Sequence, residues 1–142
     1  MTTAATRAAA RRIQVLDDDP RLLRASLLLL PRWGFRCETY THARDALAAI
    51  QRNPPDLLIV DIYMPDLDGF EVIARARQLA PSMPILAVSG DIIQGEATNV
   101  LAMGAALGAD ATLHKPFRPE ALRASLEALV GVPAPPQPGG PD

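Results

Sequence analysis

Residues Leu57 to Glu71 read LLIVDIYMPDLDGFE and carry the clearest indication of the fold. The first four residues of this stretch form an unbroken apolar run, which is typical of a strand buried on both faces of a parallel sheet. Asp61 ends that run and a Met-Pro turn follows. Asp68 and Glu71 have the spacing of a capping box, so we expect a helix from Gly69. The stretch therefore predicts a strand, a turn and a helix, with an acidic side chain where the strand ends.

Short apolar runs alternate with helical patterns along the rest of the chain, which is typical of βα units stacked on a parallel sheet. The predicted strands are Ile13–Leu16, Phe35–Tyr40, Leu57–Val60, Ile85–Val88 and Ala111–His114. The predicted helices are Pro20 to Leu30 or Trp33, His42–Gln51, Gly69–Leu79, Thr98–Leu107 and Pro119–Leu129. Pro31 leaves the end of the first helix open, because proline breaks or kinks a helix. The sequence thus predicts an α/β domain with five parallel strands and five helices.

The composition fits one globular domain. The chain has 142 residues, and 49% of them are hydrophobic, which is enough for a single core. A formal net charge of −2 and an isoelectric point near 5.6 provide no basic field for nucleic acid or an anionic membrane. No stretch approaches the roughly 20 apolar residues of a membrane span, and Cys37 is the only cysteine in the sequence, which fits a reducing compartment. We therefore expect a cytoplasmic protein that binds neither nucleic acid nor membrane.

The two ends of the chain differ in composition from its centre. Residues 1–11 show no useful hydrophobic period, and residues 131–142 (GVPAPPQPGGPD) are rich in Pro and Gly with little to bury. We expect both ends to be disordered, with a folded domain over residues 12–130. The last segment is too short for a DNA-binding helix-turn-helix or an enzyme module. If the chain is complete, its output is therefore a protein contact; the alternative is a fragment of a larger protein.

Polar side chains follow four of the five predicted strands. Asp17 and Asp18 follow the first strand, Asp61 the third, Ser89 the fourth and Lys115 the fifth. Open α/β sheets bind ligands outside the carboxyl ends of their strands, so we expect these five side chains to share one site. Each pair of carboxylates there would repel by about 4 kcal/mol at about 4 Å and an effective dielectric near 20. All-oxygen ligation suits Mg²⁺ as the neutralising cation.

A phosphoryl-transfer site gives each of these residues a role. Asp61 would be the nucleophile, because a carboxylate can carry a phosphoryl group covalently. Mg²⁺, the Ser89 hydroxyl and the Lys115 ammonium would each stabilise a phosphoryl oxygen. Each residue also has an ordinary alternative: Ser89 as a turn residue, Lys115 as a solvated lysine and Asp61 as an acid near a helix start. The shared strand-end position of the set favours the phosphoryl site, whereas Asp19, before Pro20, is expected to be an N-cap.

Five stretches between Arg12 and Val130 resemble the receiver domain of bacterial two-component response regulators: VLDDDP, LLIVDIYMPDLDGFE, ILAVSGD, LGADATLHKPF and RPEALRASLEAL. The resemblance implies a flavodoxin-like, doubly wound sheet with strand order 2-1-3-4-5. It also implies a cis peptide bond before Pro116. The site residues that it implies are Asp61 as phosphoacceptor, Asp17 and Asp18 as metal ligands with Asp61 and the Tyr63 carbonyl, Ser89 as switch hydroxyl and Lys115 as phosphate-binding lysine.

The function that the resemblance implies is that of a stand-alone response regulator. It would accept a phosphoryl group on Asp61 from a histidine kinase or a histidine phosphotransfer protein, with Mg²⁺, and then change its affinity for a protein partner. The partner surface would be the fourth helix, fifth strand and fifth helix. Such a protein catalyses its own phosphorylation and dephosphorylation but is not a turnover enzyme. Two alternatives stay open: a receiver fragment of a larger effector, and a haloacid-dehalogenase-type phosphatase, which would require an aspartate where this chain has Tyr63.

Two features depart from the family pattern. Family members commonly carry an aromatic residue three positions before the lysine, where this chain has Thr112, so the usual aromatic readout is not expected. The connection after Ser89 (GDIIQGEATNV) is longer than is typical. Gly104 and Gly108 weaken the helix that follows, by about 1 kcal/mol each relative to Ala where they lie in its interior. We therefore expect the region of helix Thr98–Leu107 to be the mobile part.

Overall fold

A parallel sheet of five strands lies at the centre of the part of the chain that the structure describes. The structure is a computed structural model that describes residues 10–64, 67–90 and 108–133, with the backbone alone for 63–64 and 67–68. The sheet has the order β2-β1-β3-β6-β7. Its strands are β1 (Arg12–Leu16), β2 (Arg36–Tyr40), β3 (Leu57–Asp61), β6 (Ile85–Ser89) and β7 (Ala111–His114). Two short strands, β4 (Tyr63–Met64) and β5 (Leu67–Asp68), pair as an antiparallel hairpin outside the sheet.

Four helices cover the two faces of the sheet within the described ranges. They are α1 (Pro20–Arg32), α2 (Ala43–Arg52), α3 (Gly69–Leu79) and α4 (Pro119–Val130). The helix predicted over Thr98–Leu107 lies outside the described residues. With the hairpin set aside, the strand order is the 2-1-3-4-5 order expected, and the predicted doubly wound α/β fold is confirmed. None of the described helices has the length and apolar character needed to cross a bilayer.

The strands form two hydrophobic clusters because successive side chains of a strand point to opposite faces. In β3, Leu58 and Val60 join the cluster under α2 and α3, whereas Leu57 and Ile59 join the cluster under α1 and α4. Every residue of β3 and β6 is buried. The unbroken apolar runs in the sequence therefore mark strands that are covered on both sides, as expected for a parallel sheet.

Strand and helix boundaries differ from the predicted ones by about one residue. β3 and β6 extend one residue further than predicted, to Asp61 and Ser89. β2 begins at Arg36 and not at Phe35, because the Phe35 N–H closes the end of α1 by donating to the Leu30 carbonyl at 3.0 Å. The first backbone group of β2 that bonds toward β1 is the Arg36 N–H, which donates to Arg11 O at 2.8 Å.

The open boundary at Pro31 is settled in favour of the longer helix. α1 continues through Pro31 to Arg32, and the Trp33 N–H donates to the Leu29 and Leu30 carbonyls. Pro31 is exposed and lies one residue before the end of the helix, so its missing N–H removes one helical hydrogen bond, to the Leu27 carbonyl, and only Arg32 follows it in the helix. Gly34 then leaves the helix with φ of +94°, a conformation that glycine adopts without strain.

Candidate functional site

The polar residues predicted to share a site all lie at the carboxyl end of the sheet. Asp17 follows β1, Asp61 ends β3, Ser89 ends β6 and Lys115 follows β7. Backbone hydrogen bonds hold three of these strand ends in place: the Asp17 N–H donates to Tyr40 O at 3.1 Å, and the Lys115 N–H donates to Ser89 O at 2.7 Å. The third is the Ile62 N–H, which donates to Val88 O at 2.8 Å directly after Asp61. The parallel topology thus brings together residues that are distant in the sequence.

The Lys115 ammonium lies between two buried carboxylates. Its Nζ atom is 2.8 Å from Asp17 Oδ2 and 3.1 Å from Asp61 Oδ2. Asp17 is 0% exposed and Asp61 is 5% exposed. Buried carboxylates are stable only when paired and hydrogen-bonded, so Lys115 compensates charges that would otherwise oppose folding. The alternative that Lys115 is an ordinary solvated lysine is therefore wrong for this structure.

The pKa values of the site reflect this crowding of charge. Burial lowers the pKa of Lys115, but hydrogen bonds and charge from Asp17 and Asp61 outweigh that effect and raise it overall, so the ammonium stays protonated at neutral pH. Partial burial raises the pKa of Asp18, and the neighbouring Asp17 carboxylate raises it further. The site therefore favours additional positive charge beside Asp18.

Three carboxylates form a group that could hold a metal ion. One oxygen each from Asp17, Asp18 and Asp61 lies within 4.8 Å of the others. All the donors are hard oxygens, and Asp18 is exposed while the other two are buried, so an ion here would keep water ligands on its open side. Hard oxygen donors on one side and space for water on the other fit Mg²⁺, which retains several of its waters when bound to protein. Tyr63 is the first residue of β4, and its carbonyl as a further ligand stays a prediction.

Ser89 contributes a hydroxyl that the described fold does not use. Its side chain is fully buried, and its Oγ atom has no hydrogen-bond partner among the residues that the structure describes. Buried hydroxyls normally have a partner, so this one is available for a group that the site receives. Ser89 is the last residue of β6, which argues against the alternative that it merely serves a turn.

Two glycines that were not singled out as site residues allow close approaches at the site. A Cβ atom on Gly90 would lie 2.6 Å from Lys115 Cβ, and one on Gly69 would lie 2.8 Å from the Asp61 carbonyl oxygen. Gly90 therefore leaves room for the lysine, and Gly69 for the backbone at the end of β3. The only signal in the sequence is the place of each glycine, after Ser89 or at a helix start, and that signal does not reveal which atoms approach it.

Three residues around the site, Asp19, Pro116 and Thr112, were also the subject of predictions. Asp19 is an N-cap, because its Oδ1 atom accepts the Arg21 N–H at 2.9 Å. The Lys115–Pro116 peptide is cis, as the resemblance implied. Thr112 is exposed on β7, on the opposite face from the core side chains of that strand. Residues 91–107, which include most of the connection after Ser89 and Gly104, lie outside the described residues.

Comparisons with known proteins identify the family. The sequence model of one protein family, the response regulator receiver domain, matches residues 13–127 of this chain. The transcriptional regulatory protein TcrA of Mycobacterium tuberculosis is 34% identical over 136 residues, which is 94% of this chain and 52% of that protein. BasR of Escherichia coli, also a transcriptional regulatory protein, is 33% identical over 119 residues, 84% of this chain and 52% of its own. The chain belongs to the response regulator receiver domain family.

The solved structures agree with this assignment. Chemotaxis protein CheY4 of Vibrio cholerae is 30% identical, with a TM-score of 0.74 over 85% of this chain and 99% of that one. Receiver domains act in two-component phosphorelays between histidine kinases and downstream effectors. The chain spans about half the length of the curated relatives that it matches first.

Proposed function

We propose that this chain is a phosphoacceptor in which Asp61 receives a phosphoryl group from a partner's phosphohistidine. The observation that carries the proposal is the placement of the Lys115 ammonium 3.1 Å from Asp61 Oδ2, within a group of three carboxylates. A carboxylate beside a fixed cation and a possible metal site is arranged for phosphoryl transfer, which depends on positioning and charge compensation.

The position of Asp61 in the sheet favours it as the nucleophile. Asp17 accepts the Asp19 N–H at its Oδ1 atom, at 2.9 Å, and Lys115 at its Oδ2 atom. Asp61 lies on β3, the central strand of the sheet, with Asp17 on the β1 side and Ser89 on the β6 side. A phosphoryl group on Asp61 would therefore have the Ser89 hydroxyl as a donor on the β6 side, whereas Asp17 on the β1 side would hold Lys115 in place.

The proposed reaction conserves bonds and charge. The nitrogen–phosphorus bond of the donor's phosphohistidine breaks as an oxygen–phosphorus bond to Asp61 forms, and the leaving imidazole keeps the electron pair. The Lys115 ammonium and the Ser89 hydroxyl would donate hydrogen bonds to phosphoryl oxygens. Mg²⁺ held by Asp17, Asp18 and Asp61, together with the Tyr63 carbonyl, would supply the positive charge that offsets the crowded carboxylates and the phosphoryl group.

We propose further that the chain works in the cytoplasm as a stand-alone receiver whose folded domain spans residues 12–130. The structural similarity to CheY4, whose solved chain is matched over 99% of its length, supports this proposal. Its output would be altered binding of a protein partner by the surface that includes β7 and α4. A receiver detached from a larger effector is the second candidate, supported by the 52% coverage of TcrA and BasR.

A beryllofluoride titration tests the proposed function. We expect beryllofluoride with Mg²⁺ to shift amide NMR signals of residues near the ends of β3, β6 and β7 in the wild-type protein. The same shifts should be absent from Asp61→Asn. Asp19→Asn is the matched control, because it changes a neighbouring acid and keeps the N-cap. Shifts of wild-type size in Asp61→Asn would refute Asp61 as the acceptor.

A further inference from the structure

The Arg77 side chain on α3 joins three separate stretches of the chain. Its Nη1 atom donates to the carbonyl oxygens of Pro81 at 2.9 Å and Met83 at 2.6 Å. Its Nη2 atom donates to the Gly108 carbonyl at 2.6 Å and to Asp110 Oδ2 at 2.8 Å. One guanidinium therefore ties the end of α3 and the loop before β6 to the segment that leads into β7.

Asp110 completes this connection at the start of β7. Its Oδ2 atom, already bound to Arg77, also accepts the Ile85 N–H at 2.8 Å, and its own N–H donates to Ile85 O at 2.8 Å. Ile85 is the first residue of β6. Asp110 is thus held to the first residue of β6 by both its backbone and its side chain, directly before β7 begins.

β7 needs such an anchor because burial alone specifies its register weakly. It is an edge strand of the sheet, and its strand partner is β6. Ala111 and Leu113 pack on the core, whereas Thr112 and His114 are exposed, so Leu113 is the one large apolar side chain that fixes the strand. A strand with few buried side chains is prone to slip, and a slip of one residue turns every side chain to the other face.

We propose that Arg77 and Asp110 are positioning residues for Lys115, acting through the register of β7 against β6. The five residue steps from Asp110 to Lys115 span about 16 Å along the strand, and the ladder between them ends in the hydrogen bond from Lys115 N to Ser89 O. A slip of one residue would put His114 or Pro116 where Lys115 now meets Asp17 and Asp61. The inference rests on the proposed function for its consequence, but the placement of the lysine can be tested by itself.

Lys115 is the only lysine in the sequence, so a sample labelled with ¹⁵N and ¹³C lysine reports its side chain alone. We expect Asp110→Ala and Arg77→Gln to move the lysine side-chain signal toward that of a solvated lysine. Asp110→Asn keeps an oxygen that can accept the Ile85 N–H and should restore much of the wild-type signal. Arg75→Gln is the matched control on α3, since Arg75 pairs with the exposed Glu71. A lysine signal unchanged in Asp110→Ala would overturn the proposal.

A double-mutant cycle separates positioning from general loss of stability. Lys115→Met should lower the thermal midpoint in the wild-type background, because it leaves Asp17 and Asp61 without their cation. If Asp110 acts through Lys115, the same change should lower the midpoint less in the Asp110→Ala background. Equal losses in the two backgrounds would overturn the proposal. Failure of Asp61→Asn to abolish beryllofluoride shifts would instead refute the proposed function and leave this cycle unaffected.

The affinity for beryllofluoride measures the functional consequence of a change in the register of β7. We expect Asp110→Ala to weaken beryllofluoride affinity by about tenfold, the factor that corresponds to about 1.4 kcal/mol, with Arg75→Gln unchanged. Full wild-type affinity in Asp110→Ala, together with a displaced lysine signal, would refute the role of this register in phosphoryl binding.

Discussion

The Ser89 hydroxyl is a part of this site on which we expect the stability of the fold not to depend. Its buried hydroxyl has no hydrogen-bond partner among the described residues, and such a group normally costs free energy. Asp17 and Lys115 differ, because they compensate each other's charge within the folded state. A residue that serves only the received group should therefore be removable without loss of stability.

We expect Ser89→Ala to leave the free energy of unfolding unchanged or to raise it by up to about 1 kcal/mol. The change should reduce the amide shifts that beryllofluoride produces. Chemical denaturation and NMR titration measure the two effects. Ser26→Ala is the control, because the buried Ser26 hydroxyl has a partner within the fold and donates to Leu22 O at 2.8 Å. Clear destabilisation by Ser89→Ala would show that the hydroxyl already has a structural role.

The residues of the site could be predicted from the sequence because they follow buried strands. Asp61 ends an apolar run whose position on a parallel sheet can be read without coordinates. Gln14 shows the limit of this reasoning. It lies in the equally apolar β1 and is fully buried, and its amide donates to Ala46 O at 3.0 Å. Nothing in the local pattern IQVL indicates which backbone carbonyl would face that amide.

Elements hold the site through close backbone contacts as well as side chains. Gly69, at the start of α3, lies against the backbone that follows β3: a Cβ atom there would be 2.5 Å from Ile62 Cα and 2.7 Å from Ile62 O. Backbone atoms cannot move aside as the end of a flexible side chain can. The start of α3 and the end of β3 are therefore coupled.

We expect Gly69→Ala to lower the free energy of unfolding by about 1–3 kcal/mol, the range for overpacked sites, and to disturb the amide signals around Asp61. Gly131→Ala serves as the comparison, since nothing lies within 4 Å of a Cβ there and only its φ of +87° is unfavourable. Urea denaturation of both variants measures which substitution lowers the free energy of unfolding more. A smaller cost at Gly69 than at Gly131 would contradict the contact geometry.

Arg12 and Glu38 join β1 to β2 at the edge of the sheet through two hydrogen bonds, of 3.0 Å and 3.1 Å. The hydrogen bond from Arg12 is the main reason that the pKa of Glu38 is lowered, with the charge of Arg12 adding to it. A carboxyl whose pKa is lower in the folded state stabilises the fold above its unfolded value of 4.5. That stabilisation is lost as the pH falls through the lowered folded value.

We therefore expect Glu38→Gln to reduce the free energy of unfolding at pH 7 by at most about 1 kcal/mol, since the pair is partly solvated. The difference from wild type should shrink as the pH falls below about 4.5, where the unfolded-state carboxyl begins to take up its proton. Denaturation curves at several pH values measure this. A difference that stays constant from pH 7 to well below 4.5 would exclude the ion pair as its source.

The elements themselves were largely predictable. Strands were located to within one residue, and the apolar runs of β3 and β6 end at the polar residues Asp61 and Ser89. The β4–β5 hairpin was missed, since strands of two residues have no measurable period. The contacts of Arg77 with Gly108 and Asp110 join residues 31 and 33 positions apart and leave no local pattern. Such contacts follow from the topology, which must be known first.

At the scale of the whole molecule, the strand order explains why one end of the sheet carries the chemistry. Parallel strands in the order β2-β1-β3-β6-β7 place the ends of β1, β3, β6 and β7 side by side. The opposite ends carry the Arg77 and Asp110 contacts and the Arg12–Glu38 pair. One end of the sheet thus carries stabilising contacts and the other carries the candidate site. The register of the strands relates the positions of the two ends.

Locating the phosphoryl group on the chain tests whether Asp61 is the acceptor. After incubation with acetyl phosphate and Mg²⁺, borohydride reduction converts a phosphorylated aspartate to homoserine, which peptide mass spectrometry can place. We predict homoserine at position 61 in the wild-type protein and none at positions 17 and 18, with no conversion in Asp61→Asn. Homoserine at another aspartate of the wild-type protein, or undiminished conversion in Asp61→Asn, would contradict the role of Asp61.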